Sequence, residues 1–346
     1  MIPAPEAQDD GSSNTRTSRA QSPEGEPATL AGQYSGPSSA YSFLRRAWRR
    51  FGLSSEEADD GENPQIGTPI FSVGDKAIPK DVDALATLRL PDRSATAKLF
   101  EMYFDFTMPT YRYLHRGTVE GWLDTYHSQA ETGGGITLSP ARQAVVLMVL
   151  ATASVFASNN DTNVEQPWRT SEPYFLLAQA KLATETGRLR LESVQARIAI
   201  CLYLLHTSRP NQSWYTFGTA CQIINAMGLH RDRPKTAPQL DPVTCECRRR
   251  TFWAAYTLDF YLSVILGRPH MIHDDHSDQR LPQALDDDEL GASKPIKEGV
   301  FPRDRVIQAS IYHARITKIV KTSVKTQYSL SKWSNEQKLS IASELN

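Results

Sequence analysis

The 346-residue chain is 40% hydrophobic and 22% charged, and its 38 basic and 39 acidic residues leave a net charge of −1. That balance excludes a global field toward nucleic acid or membrane, so any such contact must come from a local patch. The length allows one large or two small domains, and the low mean hydropathy implies that part of the chain stays outside a core.

Residues 1–80 read as a disordered linker, because Ser, Gly, Pro, Glu and Asp dominate and too little apolar surface is present to offset chain entropy. Met1 to Glu6 lacks the apolar stretch of a secretory signal. One island interrupts the segment at 41–51. There Phe43, Leu44, Ala47, Trp48 and Phe51 fall at helical spacing, with Arg45, Arg46, Arg49 and Arg50 on the other face. It reads as a linker helix docking on the main domain. The rival reading is a basic patch for phosphate binding or nuclear import.

Residues 85–346 carry a helical, globular pattern. Ser94 is placed to cap a helix that ends before Pro109, and Thr118 to cap a second that runs to Gln129. Gly133-Gly134-Gly135 marks a loop. Ser139-Pro140 then opens a helix with Pro at its first position, where the missing N–H is harmless. Its apolar run, Ala144 to Ala157, suits a buried helix and is too short for a membrane span. Ser171 and Pro173 start the next, which Gly187 closes through a left-handed cap. Ser193 caps a helix carrying Val194, Ile198, Cys201 and Leu205 on one face. From Gln212 to Met227, the residues Trp214, Phe217, Cys221, Ile224 and Met227 keep a helical stripe that Gly228 ends. Asp241-Pro242 opens a long helix to Leu266, apolar nearly all round from Phe252 to Ile265, which marks it as the central helix. Gly267 and Pro269 stop it. An acidic loop over 268–302, a helix over 303–324 and a last helix from Asn335 follow. The pattern holds no alternating strands and no fixed repeat, so the fold class is all-α, an irregular multi-helix array.

Three constellations invite an enzyme reading. Asp274, Asp275 and Asp278 match the DDxxD pattern by which helical prenyl-diphosphate enzymes hold Mg²⁺, but that chemistry needs all three carboxylates on one helical face. Here they follow a Gly-Arg-Pro stop and sit in a loop. His270, His273 and His276 are spaced by three, which aligns zinc ligands only on a helix. Asp286-Asp287-Asp288-Glu289 is a charge run of the kind found on solvated faces or at helix N-termini. The four cysteines, Cys201, Cys221, Cys245 and Cys247, read as core thiols in a reducing intracellular compartment; the one-residue gap in Cys245-Glu246-Cys247 is too short for a zinc knuckle. The reading is therefore of no catalytic site, no metal and no cofactor.

One ordered series absorbs these landmarks: Trp214, Gly218, then Met227-Gly228-Leu229-His230-Arg231-Asp232, Arg249-Arg250-Thr251-Phe252-Trp253, Leu258-Asp259, Leu266-Gly267-Arg268-Pro269, and Leu281-Pro282. In this series the chain resembles the middle homology domain of fungal transcription factors of the binuclear zinc-cluster class, also called the xylanolytic-activator regulatory domain. Leu99 to His115-Arg116 looks like the opening helix of that domain, and Gly36-Pro37-Ser38-Ser39 with Tyr41-Ser42-Phe43-Leu44 like the segment that precedes it.

The resemblance implies a non-enzymatic transcription regulator in the nucleus, in contact with transcription machinery or regulatory proteins, with a small-molecule effector as a further input and no membrane. DNA contact would come only through a missing module or a partner, because the six-cysteine zinc cluster of the family has no counterpart before Cys201. The resemblance also implies an incomplete copy, ending inside a helical pattern. From the cost of isolated buried charge, Arg249 or Arg268 is expected to pair with Asp259. The alternatives are the diphosphate enzyme built on Asp274, Asp275 and Asp278, and a helical protein-binding scaffold.

Overall fold

The computed structural model describes residues 28–30, 33–51, 75, 90–132, 137–158, 170–232, 240–290 and 305–328. The glycine loop at 133–135, most of segment 1–80 and the helix expected from Asn335 lie outside them. The fold is helical, as the periodicity implied. Its departure is a small antiparallel ribbon of β1 (Ala28–Leu30) and β2 (Gln33–Ser35), too short for an alternating pattern to register.

The ribbon leads into α1 (Ala40–Arg50). The main body begins with α2 (Arg93–Met102), which continues into a π-helical turn, Tyr103–Thr107. It is capped by Asp92, whose carboxylate accepts from Ala95 N–H at 2.8 Å, not by Ser94. The helix α3 (Arg116–Thr132) starts two residues before Thr118. Then come α4 (Pro140–Ser158), α5 (Glu172–Ala183), α6 (Leu191–His206) and α7 (Pro210–Ala226). Gly187 has φ +80° but stands beyond Thr184, the residue that closes α5. Ser193 is the third residue of α6 and accepts from Arg190 N–H, so it completes the cap from inside the helix. The long helix α8 (Pro242–Leu266) has both bounds read from sequence: Asp241 accepts from Thr244 N–H at its start, and Gly267 closes it at φ +65°. Last is α9 (Ile307–Tyr328).

Two helices share the central place expected of α8 alone. The helix α4 packs on α2, α3, α5 and α6, whereas α8 packs on α1, α6, α7 and α9. By length and composition α4 is the one helix, among the described residues, apolar enough to cross a membrane, yet 78% of it is buried within the fold. Its interior hydroxyls are absorbed locally, Thr152 donating to Met148 C=O and Ser154 to Leu150 C=O, each at 2.8 Å. Burial of Val145 through Ala151 on every side of the helix makes it the hydrophobic centre of the first half. The helix α6 bridges α4 to α8 and joins the two halves into one core.

Candidate functional site

Of the signature series, Trp214, Gly218, Asp259, Gly267, Arg268 and Pro269 lie where α7 begins, α8 ends and the chain turns. Gly267 closes α8 in the left-handed conformation, which an L side chain enters only at a cost. A second glycine lies against it: Gly36 donates its N–H to Leu266 C=O at 3.2 Å, and a Cβ on Gly267 would stand 2.5 Å from Gly36 N. The two backbones thus meet with no room for a side chain on either.

Arg268 is buried beside this contact. Its guanidinium stacks on Trp214 at 4.6 Å, donates to Asn211 Oδ1 at 2.5 Å and reaches Tyr34 C=O at 3.3 Å. Asp259, also buried, takes neither arginine. Its carboxylate accepts from the N–H groups of Met271 and Ile272 at 2.9 and 3.0 Å, with His270 Nδ1 at 3.4 Å. The expected pairing of Asp259 with Arg249 or Arg268 is therefore corrected. Backbone donors one turn beyond the helix stop satisfy the charge, a partner that a count of side-chain charges overlooks. Pro269 is exposed, and Gly218 faces Met271 across the start of the turn.

The start of α7 has a partner from far away in sequence. The carboxylate of Asp75 accepts from Asn211 N–H, Asn211 Nδ2 and Gln212 N–H at 3.2, 2.6 and 2.8 Å. It supplies the cap that Arg209 does not. No sequence signal marks Asp75 for that role.

A second set centres on Arg250. This buried guanidinium pairs with Glu246 at 3.4 Å and Asp287 at 2.5 Å, and donates to Leu285 C=O at 2.6 Å. Glu246 also takes Arg249 at 3.1 Å and Gln283 N–H at 2.8 Å. Asp287 accepts Arg116 N–H at 2.7 Å, so it caps α3, while His115 donates to Asp287 C=O and accepts from Thr118 N–H. Asp286 accepts from Ile307 N–H at the first residue of α9, and Glu289 pairs with Arg305. The acidic run is thus a joint that starts two helices and neutralises a buried arginine. Glu246 stands four residues before Arg250, the spacing at which helical side chains meet, whereas Asp287 has no such relation in sequence.

The three carboxylates of the diphosphate reading serve separate neighbours. Asp274 opens a single 3₁₀ turn, accepts from Tyr256 Oη at 2.7 Å and lies 3.4 Å from Lys321 Nζ. Asp278 instead grips Arg231 through both oxygens at 3.0 Å and accepts from Asp232 N–H. These backbone and guanidinium donors hold its carboxyl below the ordinary range. Asp275 is exposed, so the three carboxylates serve different neighbours and do not converge. Among the described residues no group of three His, Cys, Asp or Glu could hold a metal. Burial pushes the Cys247 thiol up to about 12 and raises Cys201 and Cys221 as well, away from the thiolate that zinc requires. Cys201, Cys221 and Cys247 are buried free thiols, and the described residues gather no metal-holding group around them.

The remaining positions of the series lie in turns and in the core. Gly228 closes α7 at φ +62°, and Leu229 is buried behind it. His230 C=O accepts from Asp278 N–H, and Trp253 Nε1 donates to Arg280 C=O at 2.7 Å. Phe252 is buried, Leu281 packs on the core and Pro282 is buried after it. In α1 the expected faces are partly exchanged: Phe43 is 61% exposed, whereas Ser39 and Ser42 face inward. Arg46 donates to Pro37 C=O, and Arg45 is half-buried. The side chains of Trp48, Arg49 and Arg50 lie outside the described residues.

Comparison with known proteins follows the same landmarks. The family model described as "fungal specific transcription factor domain" matches residues 100–346. A transcriptional regulatory protein of Saccharomyces cerevisiae is 26% identical over 222 residues, covering 62% of this chain and 29% of that protein. Transcription factor FBD3 of Gibberella moniliformis is 30% identical over 215 residues, covering 62% of this chain and 27% of its own. Activator of stress genes 1 of Saccharomyces cerevisiae is 24% identical over 253 residues, covering 71% of this chain and 26% of its own. The chain thus spans less than a third of the length of each. No solved structure matches it.

Proposed function

Because the chain belongs to the fungal specific transcription factor domain family, we propose that residues 85–346 are the non-catalytic regulatory domain of a nuclear transcriptional regulator. The family match over 100–346 carries this reading, and the relatives named above are themselves transcriptional regulators or transcription factors. The dispersal of Asp274, Asp275 and Asp278 onto separate neighbours supports it against the diphosphate-enzyme alternative.

In this reading the domain acts by binding rather than chemistry. Its partners are regulatory proteins or transcription machinery, and a small-molecule effector is a further input. In this reading DNA is reached through a partner or a separate module; the scattering of the cysteines, with no group of three metal-ligating side chains among the described residues, supports it.

The test is a reporter assay in a fungal host, with the full chain fused to an unrelated DNA-binding module. Transcription is expected to change several-fold relative to the module alone. A reporter that responds identically to both would overturn the proposal.

A further inference from the structure

The helix α9 sorts its side chains against the usual rule. Its inward side carries Ile307, Ile311 and Ala314, but also Thr317 and Lys321, all buried. Lys321 is held there by its own bonds. Its Nζ donates to Ile272 C=O at 2.8 Å, lies 3.4 Å from Asp274 Oδ2 and sits over the Tyr256 ring at 4.4 Å. The outward side carries Tyr312, Ile316, Ile319 and Val320, each between 38% and 56% exposed. These four fall at i, i+4, i+7 and i+8, so they form one apolar stripe about 100° wide, opposite the buried positions. Single exposed apolar residues are ordinary, whereas a contiguous stripe of them marks a contact surface.

The two edges of the stripe differ. Along one run Arg315, Lys318 and Lys325, all exposed. Arg315 lies over the Tyr312 ring at 5.7 Å. Along the other stand His313 and, from α8, the exposed Tyr261, joined by a 2.8 Å hydrogen bond between Nε2 and Oη. No acidic residue occurs anywhere from Ile307 to Tyr328. The outward face therefore joins an apolar stripe to positive charge on one side. Two copies packed antiparallel would set these cations edge to edge, which counts against self-pairing and favours an acidic partner.

We propose that the outward face of α9 docks an amphipathic helix of a partner protein, whose apolar stripe meets Tyr312, Ile316, Ile319 and Val320 and whose carboxylates line the edge beside Arg315 and Lys318. The apolar contact supplies affinity. The charged edge sets which way the helix lies and which helices are refused. The helix α9 keeps its place without the partner, because Ile307, Ile311, Ala314 and Lys321 hold it to the body from inside. As the surface for the protein partner proposed above it rests on that reading, but binding is measured apart from transcription, so either can fail alone.

Two synthetic helical peptides test this on the full chain by fluorescence anisotropy. Both carry leucine at alternating third and fourth positions; one has glutamate and the other lysine on the remaining face. The glutamate peptide is expected to bind at least about tenfold more tightly than the lysine peptide, and to weaken as salt rises. Ile316→Ser together with Ile319→Ser is expected to weaken it about tenfold or more. Arg315→Glu together with Lys318→Glu should remove the preference for glutamate. All four side chains are exposed, so the variants keep the fold, which an unchanged thermal midpoint verifies. Equal binding of the two peptides, no binding by the full chain, or unchanged binding in the isoleucine double variant would overturn the docking face. Self-association that the isoleucine double variant abolishes would give the face to a second copy, and binding of phosphatidylserine vesicles in preference to the peptide would give it to a lipid surface; either result also overturns the proposal.

Discussion

Asp259 and Arg268 lie at the same corner of the fold, nine residues apart and both buried, yet neither is held by the other's charge. The carboxylate takes the amides of Met271 and Ile272, while the guanidinium takes Asn211, Tyr34 C=O and the face of Trp214. Asp259→Asn keeps the shape but turns an amide N–H₂ toward a backbone donor. We expect about 2–3 kcal/mol of destabilisation by urea unfolding. An unchanged midpoint would mean that the carboxylate does not hold the turn.

Arg250 is the reverse case, a buried cation shared by two acids. Removing it leaves Glu246 and Asp287 without their common partner. Arg250→Ala is expected to cost about 3–5 kcal/mol, the range for a broken buried pair. Glu246 retains Arg249 and Gln283 N–H, so Asp287, at the cap of α3, should feel the loss most. Hydrogen exchange at the start of α3 checks this: protection there should fall more than at the start of α8.

Gly228 and Gly267 both close helices with positive φ, +62° and +65°. Around Gly228 a Cβ meets nothing within 4 Å, whereas at Gly267 it meets Gly36. Gly228→Ala should cost about 1 kcal/mol from conformation alone. Gly267→Ala should lower the thermal midpoint further and also deprotect Ser39 to Ala47. Equal midpoints in the two variants would count against the glycine–glycine contact.

His127 gives a pH dependence. Its imidazole is held below the ordinary 6.5, first by burial and then by the Arg93 guanidinium. The unfolded chain therefore takes up this proton more readily than the folded one. The stability involved is present above the unfolded value and is lost as pH falls from 6.5 toward the lower folded value. The urea midpoint should drop between about pH 7 and about pH 5, and drop less in His127→Gln. Parallel profiles for the two proteins would rule out His127 as a source of the dependence.

The helix ends readable from sequence were those whose signal and partner lie within one turn. Asp241-Pro242 and Gly267 bound α8, and Ser139-Pro140 opens α4, because caps of this kind act between neighbours. Thr118 failed as a cap because Asp287, 171 residues from Arg116, supplies the acceptor. Asp75 caps α7 across 136 residues for the same reason. The faces of α1 were misjudged where a serine relay, not an apolar stripe, meets α8. The signature residues were legible as an ordered series. Their grouping into a corner and a joint was not, since spacing along a helix carries no information about which loop returns to it.

The joint also constrains length. Leu285 C=O serves Arg250, Asp286 begins α9, Asp287 begins α3 and Glu289 anchors Arg305, all within five consecutive residues. One inserted residue there would move each acceptor out of phase with its donor, and two helices would lose their starting points together. A stretch whose composition resembles freely variable loop is therefore intolerant of insertion and deletion, and between Leu285 and Glu289 the count of residues matters as much as their identity.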